Sequence, residues 1–160
     1  MNPEVSYWPN GQKERESWIG DGKLHRVDGP AFIGYRETGQ KHWEDWYADG
    51  KKHRLDGPAF TEYYPNGQKK IEIWWVDSKY HRIDGPAWIS YHANGQKRQE
   101  DWYVDSKKLP DLRPIIKSRS IEEALEYIKK YPRAAALVAN CCDWLPEKLR
   151  NNLIAAASIL

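Results

Sequence analysis

The chain has 160 residues, with 25 Lys or Arg against 23 Asp or Glu and a net charge of +2. That length suits one compact domain, or a repeat array with a small cap. Charges this balanced and interleaved exclude the clustered basic face that nucleic-acid binding requires, and no apolar run approaches the roughly 20 residues that span a bilayer.

Landmarks in the first two thirds recur every 28 residues: Gly11, Gly39, Gly67 and Gly95, each followed by Gln-Lys, and Trp18, Trp46, Trp74 and Trp102. A fixed step of this size means stacked copies of one supersecondary unit, not a globule with a single cavity. Copies begin near residues 7, 35, 63 and 91 and occupy residues 1–108. Tyr35, Gly39, Gln40, Lys41, Glu44, Trp46, Asp49 and Lys51 have identical counterparts in all four. Residues shared by every copy serve folding and stacking.

Each copy reads as a β-hairpin. Residues 59–64 are rich in aromatic and β-branched side chains and end at the turn Pro65-Asn66-Gly67; residues 69–76 resume strand character. Asn-Gly or Thr-Gly tolerates the positive φ of a hairpin turn. A second turn, Asp21-Gly22 and Asp49-Gly50, weakens to Asp77-Ser78 and Asp105-Ser106. It leads into His25-Arg26-Val27-Asp28-Gly29-Pro30-Ala31 and its counterparts beginning at His53 and His81. Whether this His-Arg segment forms a third strand stays open. Four hairpins predict a mainly β antiparallel meander of about eight strands.

Strand alternation puts Glu44 and Trp46 on one face with His42 and Ala48, and Trp43, Asp45 and Tyr47 on the other. One face thus carries Glu16, Glu44, Glu72 and Glu100 beside a spine of Trp18, Trp46, Trp74 and Trp102. Glutamates two strands apart stand about 9–10 Å from one another. Their repulsion is about 0.4 kcal/mol in water but nearer 2 kcal/mol at an effective dielectric of 20. Shielded glutamates must therefore be paired, and Lys23, Lys51, Lys79 and Lys107, or Arg26, Arg54 and Arg82, recur at the right period.

The YYPNGQ of residues 63–68, the strand after it and the DGK turn at 49–51 resemble MORN repeats, in the variant found in many bacterial and large-DNA-virus proteins, where an HRxDGPA extension lengthens the unit. The resemblance covers roughly residues 6–108. It implies an elongated, twisted single-layer sheet and a role in scaffolding, oligomerisation or placement at membranes. The fourth copy departs from it, with Leu109-Pro110-Asp111-Leu112-Arg113-Pro114-Ile115 in place of HRxDGPA.

Residues 109–160 turn helical, in about three helices. Ser120 with Glu123 is a capping-box pair, and Ile121, Leu125 and Ile128 share a helical face. Pro132 ends that helix. Residues 133–142 form an apolar, buried helix, and Pro146 opens a third with Leu149 and Leu153 four apart. This segment reads as a cap on the sheet edge, or as a docking element through Leu153, Ile154, Ile159 and Leu160. At the other end, the first hairpin has no cap, which suits pairing with a second molecule.

The His-Arg-x-Asp motif suggests metal or acid–base chemistry. Copies about 10 Å apart cannot share an ion, however, and each offers only one His and one Asp. Asp28, Asp56 and Asp84 read instead as turn residues accepting backbone hydrogen bonds. The adjacent Cys141 and Cys142 cannot readily bridge each other, have no histidine nearby and sit in an apolar helix, as inert thiols do. With no secretory signal ahead of the first copy, they point to a reducing, cytoplasmic setting, or for a viral protein the host cytoplasm or virion. No phosphate-binding glycine loop occurs. No catalytic, cofactor or metal residue is assigned.

Trp8, Trp43, Trp75 and Trp88 stand outside the Trp ladder, as do Tyr64 and Tyr80, and suit a protein interface. The expected function is a non-enzymatic scaffold that binds a protein partner or a second copy through these aromatics and the helical tail. The alternatives are a peripheral binder of anionic lipid headgroups, which lacks the usual basic excess, and an accessory domain of an enzyme complex.

Overall fold

The computed structural model describes residues 2–157. The first copy supplies β1 (Glu4–Tyr7), β2 (Lys13–Ser17), β3 (Ile19–Gly20) and β4 (Lys23–Leu24). The second gives β5 (Phe32–Tyr35), β6 (Lys41–Asp45), β7 (Tyr47–Ala48) and β8 (Lys51–Lys52). The third gives β9 (Phe60–Tyr63), β10 (Lys69–Ile73), β11 (Trp75–Val76) and β12 (Lys79–Tyr80), and the fourth β13 (Trp88–Tyr91), β14 (Lys97–Val104) and β15 (Lys107–Leu109). The chain is mainly β: an open nine-stranded antiparallel meander runs β1-β2-β5-β6-β9-β10-β13-β14-β15. β3–β4, β7–β8 and β11–β12 are separate two-stranded ribbons.

Each complete copy is thus two hairpins, a long one in the sheet and a short ribbon, broken at the tryptophan. The break is where the backbone changes partner: Trp18 N–H bonds Ala31 O (2.8 Å), while Trp18 O accepts from His25 N–H (3.0 Å). The His-Arg segment itself is not a strand. It follows one, and Arg26 and Arg54 N–H donate to Tyr47 O (3.2 Å) and Trp75 O (3.0 Å) of the next copy.

The two turns differ chemically. In the long hairpins only the glycine takes positive φ, at 82° for Gly11 and 81° for Gly39, so Thr38 can replace Asn without strain. Where asparagine is present it does other work. Asn10 Oδ1 accepts from Gln12 N–H, and its Nδ2 donates to Glu37 O of the following copy (2.8 Å). In the ribbons both turn residues are left-handed, Asp49 at 50° with Gly50 at 80°, and Asp77 at 48° with Ser78 at 61°. Ser78 compensates for its strain by exchanging two bonds with Lys52, its N–H to Lys52 O (2.9 Å) and its Oγ accepting from Lys52 N–H (3.2 Å).

Register aligns Val5, Glu16, Ile33, Glu44, Thr61, Glu72 and Ile89 directly across neighbouring strands. The opposite face carries Ser17, Phe32, Asp45, Phe60, Ile73 and Trp88 in one row. A bulge beside Gly34 corrects one expectation. His42 does not keep company with Glu44 but turns to the second face, its ring 4.6 Å from Trp43 and its Nε2 3.5 Å from Glu62.

By contact density the chain forms two compact units, one of residues up to 80 with Trp88–Glu100, the other of His81–Ala87 with Asp101 onward. Among its described residues the second contains four helices where about three were expected: α1 (Arg113–Ser118), α2 (Ile121–Lys130), α3 (Ala135–Cys141) and α4 (Glu147–Ala157), with a 3₁₀ turn at Pro132–Ala134. The additional one, α1, begins at Arg113 and carries Pro114 in its first turn, where proline is well placed. Trp102, Val104, Leu109, Leu112, Leu137, Val138, Cys142 and Leu145 are core of this unit. Ser120 caps α2 by accepting from Glu123 N–H (3.2 Å). The buried stripe of α2 is rotated from the expected one: Ala124 is buried with Tyr127 and Ile128 packed on the core, while Ile121 and Leu125 are exposed.

Gly34 faces Trp43 across the bulged pair, and a Cβ there would lie 2.3 Å from the indole ring. Gly34→Ala should cost about 1–3 kcal/mol in urea unfolding. Most of that loss should vanish in a Trp43→Ile background, since Ile71 fills this position in the third copy.

Candidate functional site

The repeated glutamates are buried or half-buried, and the first three are held the same way. Glu16 accepts from Lys13 Nζ and from Tyr35 Oη (2.6 Å) of the next copy. Glu44 accepts from Lys41 (2.6 Å) and Tyr63 (2.9 Å), and Glu72 from Lys69 (2.5 Å) and Tyr91. Glu100 pairs with Lys97 (2.5 Å). The partner is therefore the lysine of Gly-Gln-Lys three residues earlier, not the lysine of the Asp-Gly-Lys turn, with a tyrosine closing the carboxylate from the neighbouring copy. Burial would raise the Glu16 carboxyl, but the hydrogen bonds of Lys13 and Tyr35, helped by the charges of Lys13 and Arg26, leave it below its ordinary value. Burial pushes the Tyr35 phenol up, and donation to Glu16 pushes it further. Tyr7, the counterpart in the first copy, is 60% exposed.

The loop arginines have a different task. The Arg26 guanidinium lies 4.0 Å over the Trp18 ring, donates to Asp28 (2.8 Å) and reaches Pro30 O (3.5 Å). Arg54 repeats this over Trp46 at 3.8 Å, with Asp56 and Pro58 O. Arg82 holds Asp84 (2.6 Å) and Pro86 O (3.3 Å). A Cβ on Gly29, Gly57 or Gly85 would fall within 3 Å of the arginine Cζ, so glycine is what lets the loop close on the guanidinium. Asp28 and Asp56 serve chiefly as arginine partners rather than backbone acceptors, and the arginine hydrogen bond holds both carboxyls below their ordinary range. The spine is thus tryptophan under arginine. Trp18 and Trp102 are buried, Trp46 and Trp74 half-buried. In the fourth copy Arg113 stands 5.4 Å over Trp102 and is paired with Asp111 (2.7 Å). The departed motif keeps the same chemistry with its residues in a different order.

The histidines look forward one copy. His25 Nδ1 accepts from Asp49 N–H (3.1 Å) and lies 3.0 Å from its carboxylate, and His53 and His81 do the same with Asp77 and Asp105. His25 is therefore not set beside Asp28 as a ligand pair. Among the described residues no group of three His, Cys, Asp or Glu side chains could hold a metal ion, and no helix is long and apolar enough to cross a membrane.

The predicted interaction aromatics are all half-buried. Trp8 Nε1 donates to Tyr35 O (3.2 Å), a bond between copies that Arg36 makes to Tyr63 O (2.6 Å) and Tyr64 to Tyr91 O (2.9 Å). Three unlike side chains fill one stitching role, which explains why Trp8 stands outside the ladder. Trp43 covers Gly34 and touches Phe32. Trp75 stacks on Tyr80 at 4.0 Å, and Trp88 faces Ile73. Leu153 packs on the helical core, Ile154 is 40% exposed, and Leu160 lies outside the described residues.

Sequence reasoning overlooked the most exposed aliphatic side chains among the described residues. Val27 is 86% exposed, Leu55 79% and Ile83 44%. They are one position, the x of HRxDGPA, and its unbroken apolar character between charged neighbours was the available signal. Cys141, at the end of α3, has its thiol pushed up to about 11, by burial first, with smaller contributions from Cys142 and Asp84.

Searches against protein-family models and curated proteins return no match to this sequence.

One buried pair breaks the uniformity of the copies. Asp45 meets Lys52 at 2.5 Å between Phe32 and Phe60, and burial outweighs the lysine so that its carboxyl sits above the ordinary value. The third copy places Ile73 and Tyr80 there. Asp45→Ile with Lys52→Tyr should be neutral or stabilising, by up to about 4 kcal/mol, whereas Lys52→Tyr alone should destabilise by about 3 kcal/mol or more because it strands the carboxylate. A carboxyl raised on folding favours the protonated form, so ionising it costs stability as pH rises. The advantage of the double variant in chemical denaturation should be larger at neutral pH than in acid.

Proposed function

We propose that this chain is a non-enzymatic scaffold of MORN-like repeats that binds a protein partner or a second copy of itself. One observation carries the reading. Most of the recurring charged side chains, Lys13–Glu16 and Arg54–Asp56 among them, are spent on bonds that hold a copy together or join it to the next, while Lys23, Lys51, Lys79 and Lys107 of the ribbon turns stay exposed. Each HRxDGPA loop also offers an apolar side chain to solvent, beside its arginine-paired aspartate. A net charge of only +2 gives little to an anionic headgroup, which disfavours the lipid-binding alternative. β1 stands at one edge of the sheet, with β2 as its neighbour, and an edge strand is a ready template for another chain.

Light scattering over a wide range of concentration should give a mass above that of one chain, insensitive to salt. A single-chain mass throughout, together with salt-sensitive co-sedimentation on phosphatidylserine vesicles, would replace this reading with the peripheral lipid binder.

A further inference from the structure

Val27, Leu55 and Ile83 stand on loops of one conformation. Arginine to aspartate is 2.8, 2.8 and 2.6 Å in the three loops, and arginine to the proline carbonyl 3.5, 3.4 and 3.3 Å. A clasp this regular fixes the direction of the residue between arginine and aspartate. Scattered exposed apolar residues are ordinary; one held outward by the same clasp in three loops needs a purpose.

The third loop shows one. Asn140, in the last turn of α3, donates its Nδ2 to Ile83 O at 2.9 Å. The neighbouring Cys141 lies close enough to feel the charges of Asp84 and Arg82. Ile83 is about half as exposed as Val27 or Leu55. A helix end with small side chains and one amide therefore fits this loop.

We propose that the loops of the first two copies are sockets for helix ends from a partner protein, each taking an amide donor on the Val27 or Leu55 carbonyl and small apolar residues on the side chain. The chemistry selects such an occupant. The arginine of each loop is already neutralised by its aspartate, so nothing recruits a charged ligand. Beside the first loop a cleft of about 290 Å³ is lined by Trp18, His25, Arg26, Val27 and Asp28. Adjacent copies are two strands apart, about 9.6 Å, and packed helices stand about 8–10 Å apart. Two neighbouring helices of one partner thus match two neighbouring sockets.

The inference rests on the interaction-scaffold reading, and its test is separate from that reading's. The probe is a hydrocarbon-stapled peptide with the sequence of residues 132–145, titrated under reducing conditions into the isotopically labelled full chain. Backbone amide signals of residues 27–29 and 55–57 should shift. Asn140→Leu in the peptide should weaken binding about fivefold, the effect of one lost hydrogen bond. Val27→Asp with Leu55→Asp in the protein should weaken it at least tenfold with the thermal midpoint unchanged. Silence at both loops, shifts confined to Ile83 and the helices, equal binding by the Asn140→Leu peptide, or binding that survives the double aspartate variant would each overturn the proposal. A silent peptide with a self-associating chain would remove the sockets and leave the scaffold.

Discussion

A carboxylate placed in the middle of a sheet must be hydrogen-bonded or it will not stay charged. Glu16, Glu44 and Glu72 stand directly opposite β-branched residues in one cross-strand row. Each is satisfied by a lysine of its own copy and a tyrosine of the next. That division of labour makes the 28-residue step strict. The tyrosine ties one copy to its neighbour, so a change of spacing would break a buried hydrogen bond at each junction. Single copies could not satisfy the carboxylate alone, which is why the unit exists only as a stack.

A second set of bonds works beside the glutamate row. The arginine clasp over tryptophan closes each HRxDGPA loop, and histidine reaches the ribbon turn of the following copy. Together these replace the conventional apolar core: in the sheet unit most large side chains are half-buried, and few are deeply so. The helical unit follows the usual arrangement, with leucine, valine and cysteine at its centre. Between Lys107 and Arg113 the chain converts one scheme to the other. Leu109 and Leu112 enter the helical core while Asp111 and Arg113 keep a guanidinium on Trp102.

The organisation leaves a consistent surface. Much of the recurring charge is neutralised locally, most aromatic side chains of the repeats are half-covered by neighbours, and the most exposed aliphatic groups sit at the loop tips. A surface of this kind favours recognition by shape and apolar contact over electrostatic capture.

Much of this was legible in the sequence. The 28-residue period, the turn glycines and the alternation of Glu and Trp led to a mainly β meander followed by helices, because each is a local property of backbone conformation or strand parity. Pairing was not legible. Lys13 and Lys23 recur at the same period, and only the folded register shows that Lys13 reaches Glu16. A bulge at Gly34, invisible to strict alternation, moved His42 to the other face. The equivalence of Trp8, Arg36 and Tyr64 was hidden because one hydrogen bond to a carbonyl can come from three unlike donors. Likewise the exposure of Val27, Leu55 and Ile83 is set by where the arginine clasp holds the loop. Periodicity along the chain determined the repeated unit; contacts between copies, which depend on positions 19 to 27 residues apart meeting in space, were decided by the tertiary structure alone.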